Sequence, residues 1–218
     1  GRGGRRSRTE GYGPLRPVKD QRGVEVLALP AGFTYVTFSY TGDPLGDGIS
    51  VVPRNHDGMT VFKAKDGLLR LIRNHEVRNR ADQAPNAARF DLVGPAATRY
   101  DPLGNGGTMT LDFDPESMQL VRQFISVNGT IVNCSGGLSY QDTGWITCEE
   151  TTAGVNNGWT KPHGYCFFVP ADADDTAPAV AIPEMGRFAH EASVAGEDGT
   201  VYQTEDAGDN SGFYRFLP

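Results

Sequence analysis

Residues 106–130, GGTMTLDFDPESMQLVRQFISVNGT, decide how the rest of the chain is read. Met109, Leu111 and Phe113 alternate with polar residues, the two-residue period of a strand with one buried face. Asp114-Pro115 interrupts the run, because proline has a fixed φ and no N–H to donate. A second strand-like run, 119–130, follows at hairpin distance. Strand, Asp-Pro turn and strand together resemble half of a propeller blade.

The same signals recur outward in both directions. FTYVTFSYTG (33–42), DGLLRLIRNHE (66–76), GWITCEE (144–150), HGYCFFVP (163–170), GTVYQTED (199–206) and GFYRFLP (212–218) are short, β-prone runs. Residues 165–186 repeat strand, acidic turn and strand, with the DADD run at 172–175 read as a solvated turn. A helical period is scarce: 184–194 and 79–90 are the candidates, and Pro85 interrupts the second. The chain is therefore expected to be all-β, as a sandwich, barrel or propeller; the recurring strand–turn–strand unit favours a β-propeller, of which about three blades would be present. Closure usually takes at least four, so residues 13–218 are expected to be the N-terminal portion of a propeller truncated on its C-terminal side. Residues 1–12 are expected to be a disordered or processed lead-in.

Composition narrows the function. The 218 residues include 28 glycines, above an average share of about 7%. A net charge of −7 argues against a nucleic-acid footprint and fits a soluble protein, or one whose acidic groups await cations. No apolar run approaches the ~20 residues of a membrane span. Arg5-Arg6 lacks the apolar stretch of a twin-arginine signal, so no signal peptide is read in this chain. Three cysteines, Cys134, Cys148 and Cys166, cannot all pair and match no zinc spacing. There is no P-loop, dinucleotide fingerprint, serine elbow or EF-hand loop. Asn128 begins a glycosylation-type triplet that is common by chance.

Several runs end in oxygen or sulfur donors. His75-Glu76, Asn133-Cys134, Glu149-Glu150 and Glu205-Asp206 do so, and GRFAHEA carries His190-Glu191. In a propeller, strand ends from several blades converge on the central channel. Converging carboxylates repel, and a cation is the usual remedy. Glu, Asp and Cys donors with little His are unlike zinc hydrolases and closer to an iron–calcium site. Each also has a plainer reading. A carboxylate at a strand end is ordinarily a solvated turn residue. Cys134 and Cys148 could be buried apolar thiols or a disulfide. His75 and His190 could orient ligands or simply be satisfied in the core. Arg187 could bind an anion, cap the acidic cluster or form a salt bridge.

The ordered set GYGPL, LPAGFTY, SYTGDPLGDG, HDGMTVF, LIRNHE, GGTMTLDFDP, NGTIVNCSGG, WITCEE, HGYCFFVP, GRFAHEA, VYQTED and FYRFLP closely resembles the PhoX-type alkaline phosphatases, from residue 11 to the end. The resemblance implies a β-propeller, Fe(3+) and Ca(2+) cofactors, hydrolysis of phosphomonoesters, and a periplasmic or secreted location reached by twin-arginine export. It makes Cys134 the iron thiolate and Glu76, Glu149 and Glu191 carboxylate ligands. Glu205 and Asp206 come next and Glu150 after them. His75, Asn133, Arg187 and His190 are supporting residues, and Cys148 is expected to pack as an inert thiol. Small phosphate esters are the implied substrates, with no nucleic acid or membrane partner. The nucleophile would be a metal-activated oxygen. Family members are much longer, so the remaining half is expected to supply further ligands and basic residues, and this portion alone could be inactive. The rival readings are a non-enzymatic calcium-stabilised propeller and a calcium-dependent lactonase.

Overall fold

A computed structural model describes residues 11–80, 91 and 94–218. The lead-in expected at 1–12 lies, up to residue 10, outside the described residues, and so does most of the helix candidate at 79–90. The chain divides into two compact units, the first ending at Phe38 and the second running from Ser39 to Pro218.

The first unit is built on a hairpin that the strand signals above did not include. Strand β1 (Arg16–Lys19) pairs antiparallel with β2 (Glu25–Leu29). Asp20 shapes the turn, accepting the N–H groups of Arg22 at 2.9 Å and Val24 at 3.0 Å. The strand expected over 33–42 does not form, and residues 33–40 join no ladder. Side chains fasten the start of this segment instead. The Tyr35 hydroxyl donates to the Val18 carbonyl at 2.8 Å, and Thr37 donates to Asp20 Oδ2 at 2.6 Å. Ser39, at φ 58°, leaves the extended region altogether. Alternation alone does not separate a paired strand from such a segment.

The second unit is all-β and antiparallel. Strands β3 (His56–Lys63), β4 (Leu69–His75), β5 (Gly106–Asp114) and β6 (Gln119–Thr130) form a meander in that order. Two three-stranded meanders follow: β7 (Asn133–Leu138), β8 (Gly144–Glu149) and β9 (Cys166–Pro170), then β10 (His190–Ala195), β11 (Val201–Glu205) and β12 (Phe213–Phe216). Among the described residues these sheets do not assemble a propeller ring.

Apolar side chains join the sheets. Ile72 and Val127 meet Trp145 and Val169, and Ile146, Cys148 and Cys166 meet Met185 and Val201. Burying each large apolar side chain contributes roughly 1.5–3 kcal/mol. The helix expected at 184–194 is instead a turn at Pro183–Met185 followed by β10. Pairing with β11 overrides a weak local preference. The second hairpin, expected over 165–186, is reduced to one bridge, Phe167 with Ala181. Its acidic turn is drawn elsewhere. Arg70 donates to the carbonyls of Ala171 and Ala173 at 3.0 Å each and to Asp174 at 3.0 Å.

Candidate functional site

The three meanders share one construction at one edge. In each, the first strand carries an extra residue near its start, so the register shifts by one. Asp57 and Gly58 stand opposite Asn74, Cys134 and Ser135 stand opposite Cys148, and Glu191 is inserted between His190 and Ala192. Such bulges re-aim a side chain and end regular pairing. Beside each bulge, the second strand has just ended, and the next residue is Glu76, Glu150 or Asp206. One backbone bond fixes that residue in every case. The N–H of Glu76 donates to Asn55 O at 2.9 Å, that of Glu150 to Val132 O at 2.9 Å, and that of Asp206 to Ala189 O at 3.0 Å. Each sheet thus presents a pair: Asp57 with Glu76, Cys134 with Glu150, and Glu191 with Asp206.

Local backbone features make this edge. Val132 sits at φ 50°, a left-handed conformation that a β-branched residue rarely adopts, where β6 turns into β7. Gly58 lets β3 lie against β7, since a Cβ there would meet Ser135 Cα at 2.8 Å and Cys134 O at 2.9 Å. At Gly137 a Cβ would meet Ser193 O at 1.7 Å, so only glycine allows β10 this close.

Cys134 is the hub. Its Sγ lies 3.5 Å from Glu191 Oε1 and 3.9 Å from Asp57 Oδ1. Two triads form around it, Asp57–Glu76–Cys134 and Cys134–Glu150–Glu191, each with donor atoms within 4.8 Å of one another. Arg78 bonds to both Glu76 and Glu150, the latter at 3.0 Å, with its side chain 59% exposed. Burial pushes the Cys134 thiol well up from its ordinary value, and the Asp57, Glu191 and Glu150 charges add to it. Burial likewise raises the Glu76 carboxyl against the opposing effect of Arg78, with Asp57 adding to the rise. The Glu150 carboxyl is raised first by burial, then by its bond with Asp206. The neighbourhood therefore opposes its own negative charge.

The other candidate residues stand elsewhere. Glu149 is fully buried on the opposite side of β8. It accepts from His163 Nδ1 at 2.7 Å, Ile131 N at 2.9 Å, Gly164 N at 2.8 Å and Tyr165 N at 3.3 Å. Glu205 accepts from Gly212 N at 3.0 Å and from the Tyr214 hydroxyl at 2.7 Å. His75 is buried, with Nδ1 2.9 Å from Arg54 O and its pKa well below the ordinary value through burial and Arg73. His190 is buried and stacked on Phe188 at 3.6 Å. Asn133 bridges the hydroxyls of Thr130 at 2.7 Å and Thr147 at 3.0 Å. Arg187 donates to the carbonyls of His163, Thr152 and Ala153, so it faces backbone rather than acids. Cys148 has Cys166 as its sulfur neighbour, 3.6 Å away.

Sequence reading missed Asp57, although His56-Asp57 is a doublet of the same kind as His190-Glu191. A groove of about 1110 Å³ lies away from this edge, lined by Lys63, Arg70, Asp112 and Phe168 among others. Arg70 there is paired with Asp112 at 2.7 Å.

Comparison with protein families matches residues 10–218 to the family described as alkaline phosphatase PhoX. No curated protein matches. Among solved structures, one described as Pseudomonas fluorescens PhoX in complex with vanadate, a transition state analogue, aligns with a TM-score of 0.47 and 16% identity. The alignment covers 76% of this chain and 42% of that one, so this chain spans less than half of that structure's length.

Proposed function

Because the chain belongs to the alkaline phosphatase PhoX family, we propose that it forms part of a metal-dependent phosphomonoesterase whose metal centre is the Cys134 edge. The observation that carries this reading is the convergence of Asp57, Glu76, Cys134, Glu150 and Glu191 from three separate sheets onto two triads with a shared sulfur. Donors bound to a common ion at about 2.0–2.6 Å lie no more than about 5 Å apart. The 4.8 Å limit within each triad meets that condition. The carboxylates suit hard cations such as Ca(2+) and Fe(3+), and the thiolate adds affinity for a redox metal such as iron. Asp206 supports Glu150 from the third sheet. On the same reading, the three meanders are blades of a propeller, and the protein acts after export to the periplasm or medium.

The bound cations would offset the charge on a phosphoryl group and lower the pKa of a coordinated water. The protein's own part is positional. The bulges and the backbone bonds to Asn55, Val132 and Ala189 hold the donors at one edge before any ion arrives. Arg78 bridges the carboxylates of the first two sheets and keeps Glu76 and Glu150 at a fixed spacing. Glu149 and Glu205 brace β8 and β11 from behind.

Elemental analysis of the full-length protein carrying this segment, with turnover of p-nitrophenyl phosphate, tests the proposal. Iron and calcium together with hydrolysis are expected. Calcium alone without turnover would point to a calcium-stabilised, non-enzymatic domain.

A further inference from the structure

Cys148 and Cys166 face each other across β8 and β9, and neither has exposed surface. The N–H of Glu149 donates to the Tyr165 carbonyl at 3.1 Å, so 149 and 165 occupy a hydrogen-bonded position. Cys148 and Cys166, one step along, therefore occupy a non-hydrogen-bonded one. Such pairs bring Cα atoms to about 4.5 Å, the closest spacing an antiparallel ladder offers. A disulfide spans Cα separations of about 4.4–6.8 Å. The two sulfurs already stand 3.6 Å apart. Around them are Ile146, Met185 and Val201, with Gln203 Oε1 3.7 Å from Cys166 Sγ; none of these is a carboxylate, imidazole or amine base. Cys134 has different company, Asp57 and Glu191.

We infer that Cys148 and Cys166 close a cross-strand disulfide when the chain folds in the presence of a small-molecule disulfide oxidant, while Cys134 remains a thiol. The step is two successive exchanges. One cysteine thiolate attacks the oxidant's disulfide, forming a mixed disulfide and releasing one oxidant thiol. The second cysteine thiolate then attacks the mixed disulfide, forming the Cys148–Cys166 bond and releasing the other oxidant thiol. Two protein thiols are oxidised, and one oxidant disulfide is reduced to two thiols. Burial of both sulfurs places this chemistry during folding, before Val201 of the third sheet and Met185 of the turn preceding it pack over the pair. The bridge would remove the two thiols able to compete with Cys134 for a metal or mispair with it. The inference stands on the β8–β9 register and is independent of the phosphatase reading.

The test starts from the denatured, reduced chain, so that burial cannot keep the oxidant out. The chain is refolded in a mixture of oxidised and reduced glutathione, then unfolded in guanidinium chloride with excess iodoacetamide and no reductant. Intact mass counts the alkyl groups, and digestion locates them. One group at Cys134, with a linked peptide pair carrying Cys148 and Cys166, is the expected result. C166A should then give two groups, and prior reduction of the natural chain should give three. Three groups on the oxidised natural chain, or any link that includes Cys134, would overturn the inference.

Discussion

Glu149 and Glu150 are neighbours in sequence and opposites in surroundings. Glu149 lies in a pocket of donors, with three backbone N–H groups and the His163 ring aimed at its two oxygens. Glu150 lies on the Cys134 edge, beside Glu76, Glu191 and Asp206, with Arg78 as a cation at its side. A charge met by fixed donors is a structural element. A charge gathered with others of its sign is raised in pKa, and a bound cation, as in the proposed metal centre, would relieve it. The difference separates two kinds of carboxylate that composition counts as one.

The comparison breaks most readily at Glu149. Glu149→Ala leaves four donors aimed at nothing and should lower the unfolding free energy by about 3–5 kcal/mol, read by urea denaturation. A loss below about 1 kcal/mol would mean that the pocket is not structural. Cys134→Ser addresses the other side. In the full-length protein it should cut bound iron by at least about tenfold, a scale that even residues behind the ligands reach, while the metal-free stability stays within about 1 kcal/mol. Iron retained at the level of the natural protein would remove Cys134 from the centre.

Glu150→Gln sharpens the contrast with a change of sign. Relieving like charge should stabilise the metal-free chain by up to about 1 kcal/mol and weaken metal binding in the same variant. Equal stability with and without the charge would show that Arg78 already balances the edge.

The smallest effect concerns Asp20, a satisfied carboxylate like Glu149 but in the first compact unit. The Thr37 hydroxyl, with the backbone N–H groups of Val24 and Arg22, lowers its pKa from 3.8 to about 2. A depressed carboxyl contributes stability that is fully present above 3.8 and is lost as pH falls through about 2. Thr37→Val should move the Asp20 midpoint up toward 3.8 in a carboxyl-detected NMR titration. An unmoved midpoint would leave the backbone donors and the Arg22 guanidinium as the cause.

Much of the fold was legible because its strands obey a period of two. Residues 119–130 form β6 over the full expected span, and runs at 66–76, 106–115, 144–150, 199–206 and 212–218 each contain a strand. Legibility failed where the backbone is fastened by side chains, at Tyr35 and Thr37, and where a neighbouring strand overrides a weak helical pattern, at His190–Ala195. The donor doublets were legible as doublets. Which member of each faces the Cys134 edge was not. Glu149 and Glu205 pair in register with Asn133 and His190, and the residues that reach the edge are the next ones, Glu150 and Asp206.

By itself, then, the sequence determined an all-β antiparallel chain, its turns, and a recurrence of carboxylate and thiol donors at strand ends. Alternation, proline and glycine act locally, and their effects can be read residue by residue. The tertiary structure alone decided that Asp57 joins Cys134, that Glu149 turns inward, and that Cys148 faces Cys166. One bulge shifts a register by one residue and sends each following side chain to the other face. How closely neighbouring strands approach at Gly58 and Gly137 is set by contacts with residues far away in the chain, which no local pattern shows.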